Sequence, residues 1–372
     1  MPRPIHALID FSALEHNLCI VRQHAQNARI MAVIKANAYG HGLLNTASAL
    51  KSADAFAVLE LDAAVRLREA GVDQPILLLE GFFSPADLAI ITQYHLSTVI
   101  HHYEQLAMLP TSKQENKINI FLKINTGMNR LGFKPAQGLA ALEKLKVNPL
   151  IGQITLMTHF ASADDLSQQN EVKQQLNVFF TTFGKYHLPC SLANSAAILR
   201  YPETHADCVR PGIMLYGASP LIDKTATELG LRPVMTVSSQ IIAIQHLGPR
   251  DKVGYGGQFQ AQQPMRIGVV ACGYADGYPR HAPTGTPILV NGQRTRIIGR
   301  ISMDMLTVDL TGIENAQVGS PVILWGSELP IEEIASSAGT ISYELFCALS
   351  SRVKTIIVTN ENQQSRLTSL IP

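Results

Sequence analysis

The sequence predicts an α/β protein: a (β/α)8 TIM barrel in the N-terminal part, followed by a mostly β C-terminal domain. Three observations predict it. Through the first two-thirds of the chain, short apolar runs alternate with amphipathic stretches, giving roughly eight strand–helix units in about 200 residues, as a parallel barrel ringed by helices requires. Polar residues that look out of place fall at the ends of those runs or just after them, where a barrel gathers its functional side chains. From about residue 231 the pattern changes to β-rich runs punctuated by glycine and proline, with regular helical spacing scarce. A doubly wound open sheet is the competing arrangement, weakened because no Gly-x-Gly-x-x-Gly turn follows any strand. At 372 residues the chain is too long for one ordinary core, and it divides into a barrel domain, 1–230, and a β domain, 231–372.

Taken in order, Ser12-Ala13-Leu14-Glu15 is a capping box, and Phe11, Leu14, Leu18, Val21 and Ala25 are spaced for a lead-in helix. Barrel strands are predicted at 30–35, 55–59, 75–79, 97–100, 118–123, 152–158, 189–193 and 206–210, with helices at 60–70, 135–146 and 168–186 among the connections. The first strand ends in Lys35, and a glycine-rich turn, Tyr39-Gly40-His41-Gly42, comes soon after. A lysine is almost never fully buried without a partner. It either snorkels to water from a strand end or serves as a desolvated amine that forms a Schiff base with a carbonyl. Lys123 ends the fifth strand, followed by Asn125-Thr126-Gly127-Met128-Asn129-Arg130. His159 follows the sixth strand, Asn194 and Ser195 the seventh, and Arg210-Pro211-Gly212 closes the eighth.

Each of these residues alone has a structural explanation; together on one rim they point to a site. Ser195 at a helix start and the backbone near Gly212 suit a phosphate after the seventh and eighth strands. A reactive lysine beside a phosphate cradle leaves two chemistries: a sugar-phosphate aldolase, or a pyridoxal phosphate enzyme whose cofactor supplies both carbonyl and phosphate. In the second part, runs at 234–247, 265–272, 286–290, 294–298, 305–310 and 321–325 predict an antiparallel β module.

Composition narrows the partners. Hydrophobic residues make up 46% and charged residues 16%, as in an ordinary globular protein. A net charge of +1 without a long basic block argues against nucleic acid or an anionic membrane as partner. The N-terminus lacks the apolar core of a signal peptide, and no apolar run approaches the ~18 residues that span a bilayer. Five scattered cysteines with no Cys-x-x-Cys pair predict reduced thiols and a cytoplasmic location. No histidine spacing suggests a metal, and His101-His102 is expected to be a solvated loop pair.

The segment Ala32-Val33-Ile34-Lys35-Ala36-Asn37-Ala38-Tyr39-Gly40-His41-Gly42 closely resembles the cofactor-lysine signature of bacterial alanine racemases. So, in the same order, do Lys123-Ile124-Asn125-Thr126-Gly127-Met128-Asn129-Arg130-Leu131-Gly132, Thr158-His159-Phe160-Ala161-Ser162-Ala163-Asp164, Arg210-Pro211-Gly212 and Val253-Gly254-Tyr255-Gly256. Gly273-Tyr274-Ala275-Asp276-Gly277-Tyr278, Gly299-Arg300-Ile301-Ser302-Met303-Asp304 and Ile341-Ser342-Tyr343-Glu344 extend the match over nearly the whole chain.

The resemblance implies a barrel-plus-β enzyme that interconverts L- and D-alanine on pyridoxal 5'-phosphate, for a cell wall or for catabolism. It implies that Lys35 holds the cofactor as a Schiff base and then acts as base on one face of Cα. The second base would be Tyr255, reaching in from the other subunit of a homodimer and supported through His159 and Arg210. Arg210 would face the pyridine nitrogen and, being always protonated, leave it largely unprotonated. Tyr39, Ser195, Gly212, Ile213 and Tyr343 resemble the family's phosphate ligands, and Asn194 belongs to the same cofactor-binding set.

Arg130 would contact the cofactor phenolate and the substrate carboxylate, with the Met303 backbone N–H as a second donor. Lys123 is often a carbamate in relatives; here it is either that or an unmodified lysine at the rim. Tyr274, Arg300 and Asp304 match entrance residues. Competing readings with the same architecture are a broad-specificity amino-acid racemase and a pyridoxal phosphate decarboxylase, whose glycine-run phosphate loop and Cys-Glu segment are missing. A cofactor-homeostasis protein would share the Lys35 region but not the β domain.

Overall fold

The computed structural model describes residues 3–112 and 116–359, so residues 360–372 of the expected second domain lie outside the described range. The described chain forms two compact units: one holds 15–215 and 219–230, the other the described residues of 1–14, 216–218 and 231–372. The sequence predicts that residues 1–14 go with the barrel, but strand β1 (His6–Asp10) pairs within the β unit. The lead-in helix Phe11–His24 follows at once, and its cap is Asp10 rather than Ser12. Asp10 Oδ1 accepts from Ser12 N at 2.8 Å and Ala13 N at 3.2 Å, satisfying donors left open by the first helical turn.

The barrel unit contains β2 (Arg29–Val33), β3 (Ala55–Val58), β4 (Ile76–Leu78), β5 (Ser97–Ile100), β6 (Ile118–Lys123), β7 (Ile151–Met157), β8 (Cys190–Ser191) and β9 (Cys208–Val209). Neighbours from β2 through β8 pair in parallel in chain order, and β9 returns to pair with β2. The circle closes through a parallel bridge between Asn194 and Arg210 and the bond from Arg210 N to Ala193 O. Every residue of β3, β4 and β5 is buried, which is why these strands read as continuous apolar runs rather than alternating ones. β8 and β9 are only two residues each, shorter than the apolar runs predict, so most of the eighth-strand signature lies in loop backbone.

The β unit is built on the long strand β10 (Met235–Leu247), which over 235–242 alternates buried residues with half-buried or exposed ones. Also present are β11 (Lys252–Val253), β12 (Phe259–Gln260), β13 (Met265–Val270), β14 (Pro287–Val290), β15 (Gln293–Arg296), β16 (Leu306–Asp309), β17 (Pro321–Trp325) and β18 (Lys354–Val358). β10 pairs antiparallel with β1, β13 and β17, and β1 adds a parallel pairing to β18, the exception to the antiparallel pattern. Two short helices, Ile331–Ala338 and Ser342–Ala348, follow β17 where the sequence predicts little helix. Among the described residues no helix is long and apolar enough to cross a membrane.

Candidate active site

Lys35 is not the last strand residue. β2 stops at Val33, and Lys35–Tyr39 coil as a single turn of the opposite hand. Ala36, Asn37, Ala38 and Tyr39 lie at φ of 51°, 53°, 55° and 51°, four successive left-handed residues of which none is glycine. Each costs roughly 1–2 kcal/mol relative to the right-handed form, and such strain collects where side chains must be aimed. The turn is braced from within. The His41 ring is fully buried, and its Nδ1–H donates to Tyr39 O at 2.8 Å and Ala38 O at 3.1 Å. Burial holds this imidazole at a pKa of about 4, so it is neutral and the carbonyl acceptors fix its tautomer. Asn37 Oδ1 accepts from Leu43 N at 2.9 Å and ties the turn to the next helix.

Around Lys35 the barrel rim is crowded with cations. Lys123 ends β6 with its side chain buried, and burial, followed by Arg210, Arg130 and Lys35, pulls its pKa from 10.5 to about 8. Glu80 is the carboxylate acting in the opposite direction. His159 is pushed well below the usual histidine range by burial first, then by the same cations and Lys123.

Arg210 is buried, which draws its pKa to about 10. Its Nη1 donates to Ser191 Oγ at 2.7 Å, and its Nη2 to Thr158 O at 2.6 Å and Leu192 O at 3.3 Å. No carboxylate pairs with it among the described residues, so neutral oxygens hold it. Sequence reasoning missed the residues behind it. Ser191 Oγ donates to Cys208 O at 2.8 Å, and Thr158 Oγ1 to Ile124 O at 2.9 Å. Gln175 Nε2 reaches Thr126 Oγ1 and His159 O, both at 3.1 Å. A glutamine inside an amphipathic helix carries no local signal of this role; only its burial among polar partners does.

The phosphate side is equally local. Asn194 caps the helix Ser195–Arg200, its Oδ1 accepting from Ala197 N at 3.0 Å and its Nδ2 donating to Phe160 O at 3.4 Å. Ser195 Oγ accepts from Gly212 N at 2.8 Å. A Cβ on Gly212 would lie 2.6 Å from Tyr39 Oη, so a glycine is what lets the tyrosine hydroxyl close on this backbone. Ile213 is fully buried beside it, and Arg130 is exposed on the loop after β6. The barrel therefore brings together Lys35, Tyr39, Lys123, Arg130, His159, Asn194, Ser195, Arg210, Gly212 and Ile213. Four cationic side chains, two hydroxyls and glycine-lined backbone fit an anionic group that carries a carbonyl, as pyridoxal phosphate does.

The β unit holds the remaining expected residues. Tyr255 stands 71% exposed on a turn framed by Gly254, Gly256 and Gly257, at φ of 68°, 73° and 55°. A Cβ on Gly256 would lie 3.8 Å from Arg300 Nη1, which places that guanidinium beside the tyrosine turn. Tyr274, Met303 and Tyr343 are exposed as well. Asp304, expected at an entrance, is engaged by Arg3 and Arg352. His101, expected to be solvated, is half-buried with its Nε2 3.1 Å from Glu80 O.

A lysine-bearing eight-stranded barrel with a cationic rim, carried in one chain with a β unit that exposes a tyrosine, defines a class: barrel enzymes that work through a lysine and an anionic carbonyl cofactor. The family model described as alanine racemase, N-terminal domain, matches residues 9–220, and that described as alanine racemase, C-terminal domain, matches 234–357. An alanine racemase of Nitrosomonas eutropha is 65% identical over 361 residues, covering 96% of this chain and all of the relative. The solved biosynthetic alanine racemase of Pseudomonas aeruginosa superposes with a TM-score of 0.92 at 43% identity, over 96% of this chain and 99% of that one. The alanine racemase of Acinetobacter baumannii gives 0.89 at 40% identity, over 96% and 100%. The chain belongs to the alanine racemase family.

Proposed function

We propose that this chain interconverts L- and D-alanine with pyridoxal 5'-phosphate, as a homodimer in which each barrel uses Tyr255 of the partner subunit. The observation that carries the reading is Arg210, a buried cation held by neutral oxygens on the same rim as Lys35. Bound pyridoxal phosphate supplies the electron sink that makes the Cα proton removable. Arg210 is the residue that would face its ring nitrogen, and an arginine donor leaves that nitrogen unprotonated. By withholding a proton there, Arg210 would restrain that sink and disfavour protonation at the wrong carbon.

Tyr39, Ser195 and the backbone at Gly212 and Ile213 would hold the phosphate, with Tyr343 as a further ligand. Arg130 and the Met303 N–H would orient the substrate carboxylate. Lys35 Nζ then moves a proton on one side of Cα and Tyr255 Oη on the other. His159 is neutral at working pH because burial and its cationic neighbours depress it, so it can share a hydrogen bond with a tyrosine hydroxyl. The exposure of Tyr255 supports a role reaching outside its own unit. Its five free cysteines support a cytoplasmic setting.

The test is purified protein with added pyridoxal phosphate, offered a panel of L-amino acids and read by chiral separation. D-alanine should form fastest. D-serine should trail by roughly 10- to 200-fold, since an apolar pocket discriminates a small added group by about 1–3 kcal/mol. Failure to form D-alanine from a cofactor-loaded protein would overturn the proposal.

A further inference from the structure

We propose that Arg3 and Arg352 are positioning residues that lock the 302–304 loop of the β unit, so that the Met303 N–H is held ready for the substrate carboxylate. This rests on the reading of Met303 as a carboxylate donor.

The lock begins with Asp276, whose side chain is fully buried at the end of the short turn Tyr274–Asp276. Its Oδ2 accepts from Gly273 N at 2.9 Å and from Arg3 Nη2 at 3.0 Å. Arg352 Nε stands 2.8 Å from Oδ1, an ion pair lying off the hydrogen-bond axis. Both arginines also reach Asp304. Arg3 Nη2 donates to Asp304 O at 2.8 Å and its Nη1 to Oδ1 at 3.2 Å, while Arg352 Nη2 donates to the same Oδ1 at 2.6 Å. Each guanidinium therefore spans one buried and one exposed carboxylate, which a point charge cannot do.

The topology explains why the two arginines lie together. β1 and β18 pair in parallel with His6 opposite Lys354, so Arg3 and Arg352 leave neighbouring strand starts.

Between the two aspartates lies the loop that the arginines hold. Tyr274 N donates to Ser302 O at 3.1 Å, Ala275 N to Met303 O at 2.9 Å, and Ser302 N to Met305 O at 2.9 Å. The approach is so close that a Cβ on Gly273 would lie 2.4 Å from both the Ser302 and Met303 carbonyl oxygens. Met303 thus has its carbonyl fastened, while its N–H donates to none of the described residues and its side chain is exposed. An open donor on a pinned peptide is what a preorganised ligand contact requires. Arg352 and then Arg3 hold the Asp304 carboxyl below its usual range, so the clasp stays charged at neutral pH.

The test uses the full-length holo protein and the variants Arg3→Ala, Arg352→Ala, Arg352→Lys and the double alanine variant. The readouts are KM and kcat for L-alanine, bound cofactor, and amide exchange across 273–276 and 302–305. Each single variant should raise KM roughly fivefold, with a smaller change in kcat, unaltered cofactor content and faster exchange in both segments. Arg352→Lys should not rescue. The double variant should fall short of the product of the two single effects, because both act through one loop. Unchanged KM would overturn the proposal, and faster exchange with unchanged KM would leave the arginines a structural brace only. If the unaltered protein fails to turn over L-alanine, the reading of Met303 falls separately. The exchange arm then decides the lock by itself: unchanged exchange in Arg3→Ala and Arg352→Ala would dispose of it.

Discussion

Lys123 sets the electrostatic problem of the rim, because it is buried next to cations. With its pKa lowered from 10.5 to about 8, the folded chain holds this amine neutral in a window where the unfolded chain is protonated. The unfolded state binds the extra proton between those values, so this residue makes stability rise with pH there. Below about pH 8 the whole penalty is present, on the order of 3 kcal/mol. In carbon dioxide-free buffer, Lys123→Met should therefore be more stable than the parent at pH 7. The difference in urea midpoint should shrink as pH rises from 8 toward 10; a constant difference would contradict the assignment. A neutral amine in this range is also the form that attacks carbon dioxide, losing a proton to become an anion that would offset Arg130. The sequence marked Lys123 by its place at a strand end. Its low pKa depends first on burial and then on Arg210, Arg130 and Lys35, an environment that only the closed barrel assembles around it.

At the level of elements, the barrel was legible because buried parallel strands are continuous apolar runs. The turn after β2 was only half legible. The apolar residues up to Ile34 predict extended backbone through Lys35, and no propensity foretells four left-handed residues in a row. Gly40 and Gly42, at φ of 78° and 96°, are the visible part of that signal. Ala36 gives a clean test, since its side chain is exposed and its φ is 51°. Ala36→Gly should be neutral or stabilising. Ala36→Val, whose branched side chain resists this region, should destabilise by roughly 1–2 kcal/mol and weaken retention of pyridoxal phosphate. Equal behaviour of the two variants in urea melts would argue that the left-handed turn is absent. The capping box at Ser12 misled for a simpler reason: Asp10, two residues earlier, offers a carboxylate with the same reach and takes the role.

For the whole molecule, the main departure from the sequence is β1. A five-residue strand carries no mark of the sheet it joins, and its partners β10 and β18 lie more than 200 residues away. The same non-locality hid Arg3 and Arg352, which no motif singles out. The functional residues divide likewise, with Lys35 and all of the cofactor-binding set except Tyr343 on the barrel, and Tyr255 and Tyr343 on the β unit. Mixing two inactive proteins tests most directly whether Lys35 of one subunit works with Tyr255 of its partner. Lys35→Ala and Tyr255→Phe homodimers are allowed to exchange subunits, and the hybrids are counted by native mass spectrometry. Each hybrid should contain one intact site and one doubly defective one, so complete exchange should restore about a quarter of the parent activity. Hybrids that form in full yet racemise no alanine would contradict the claim.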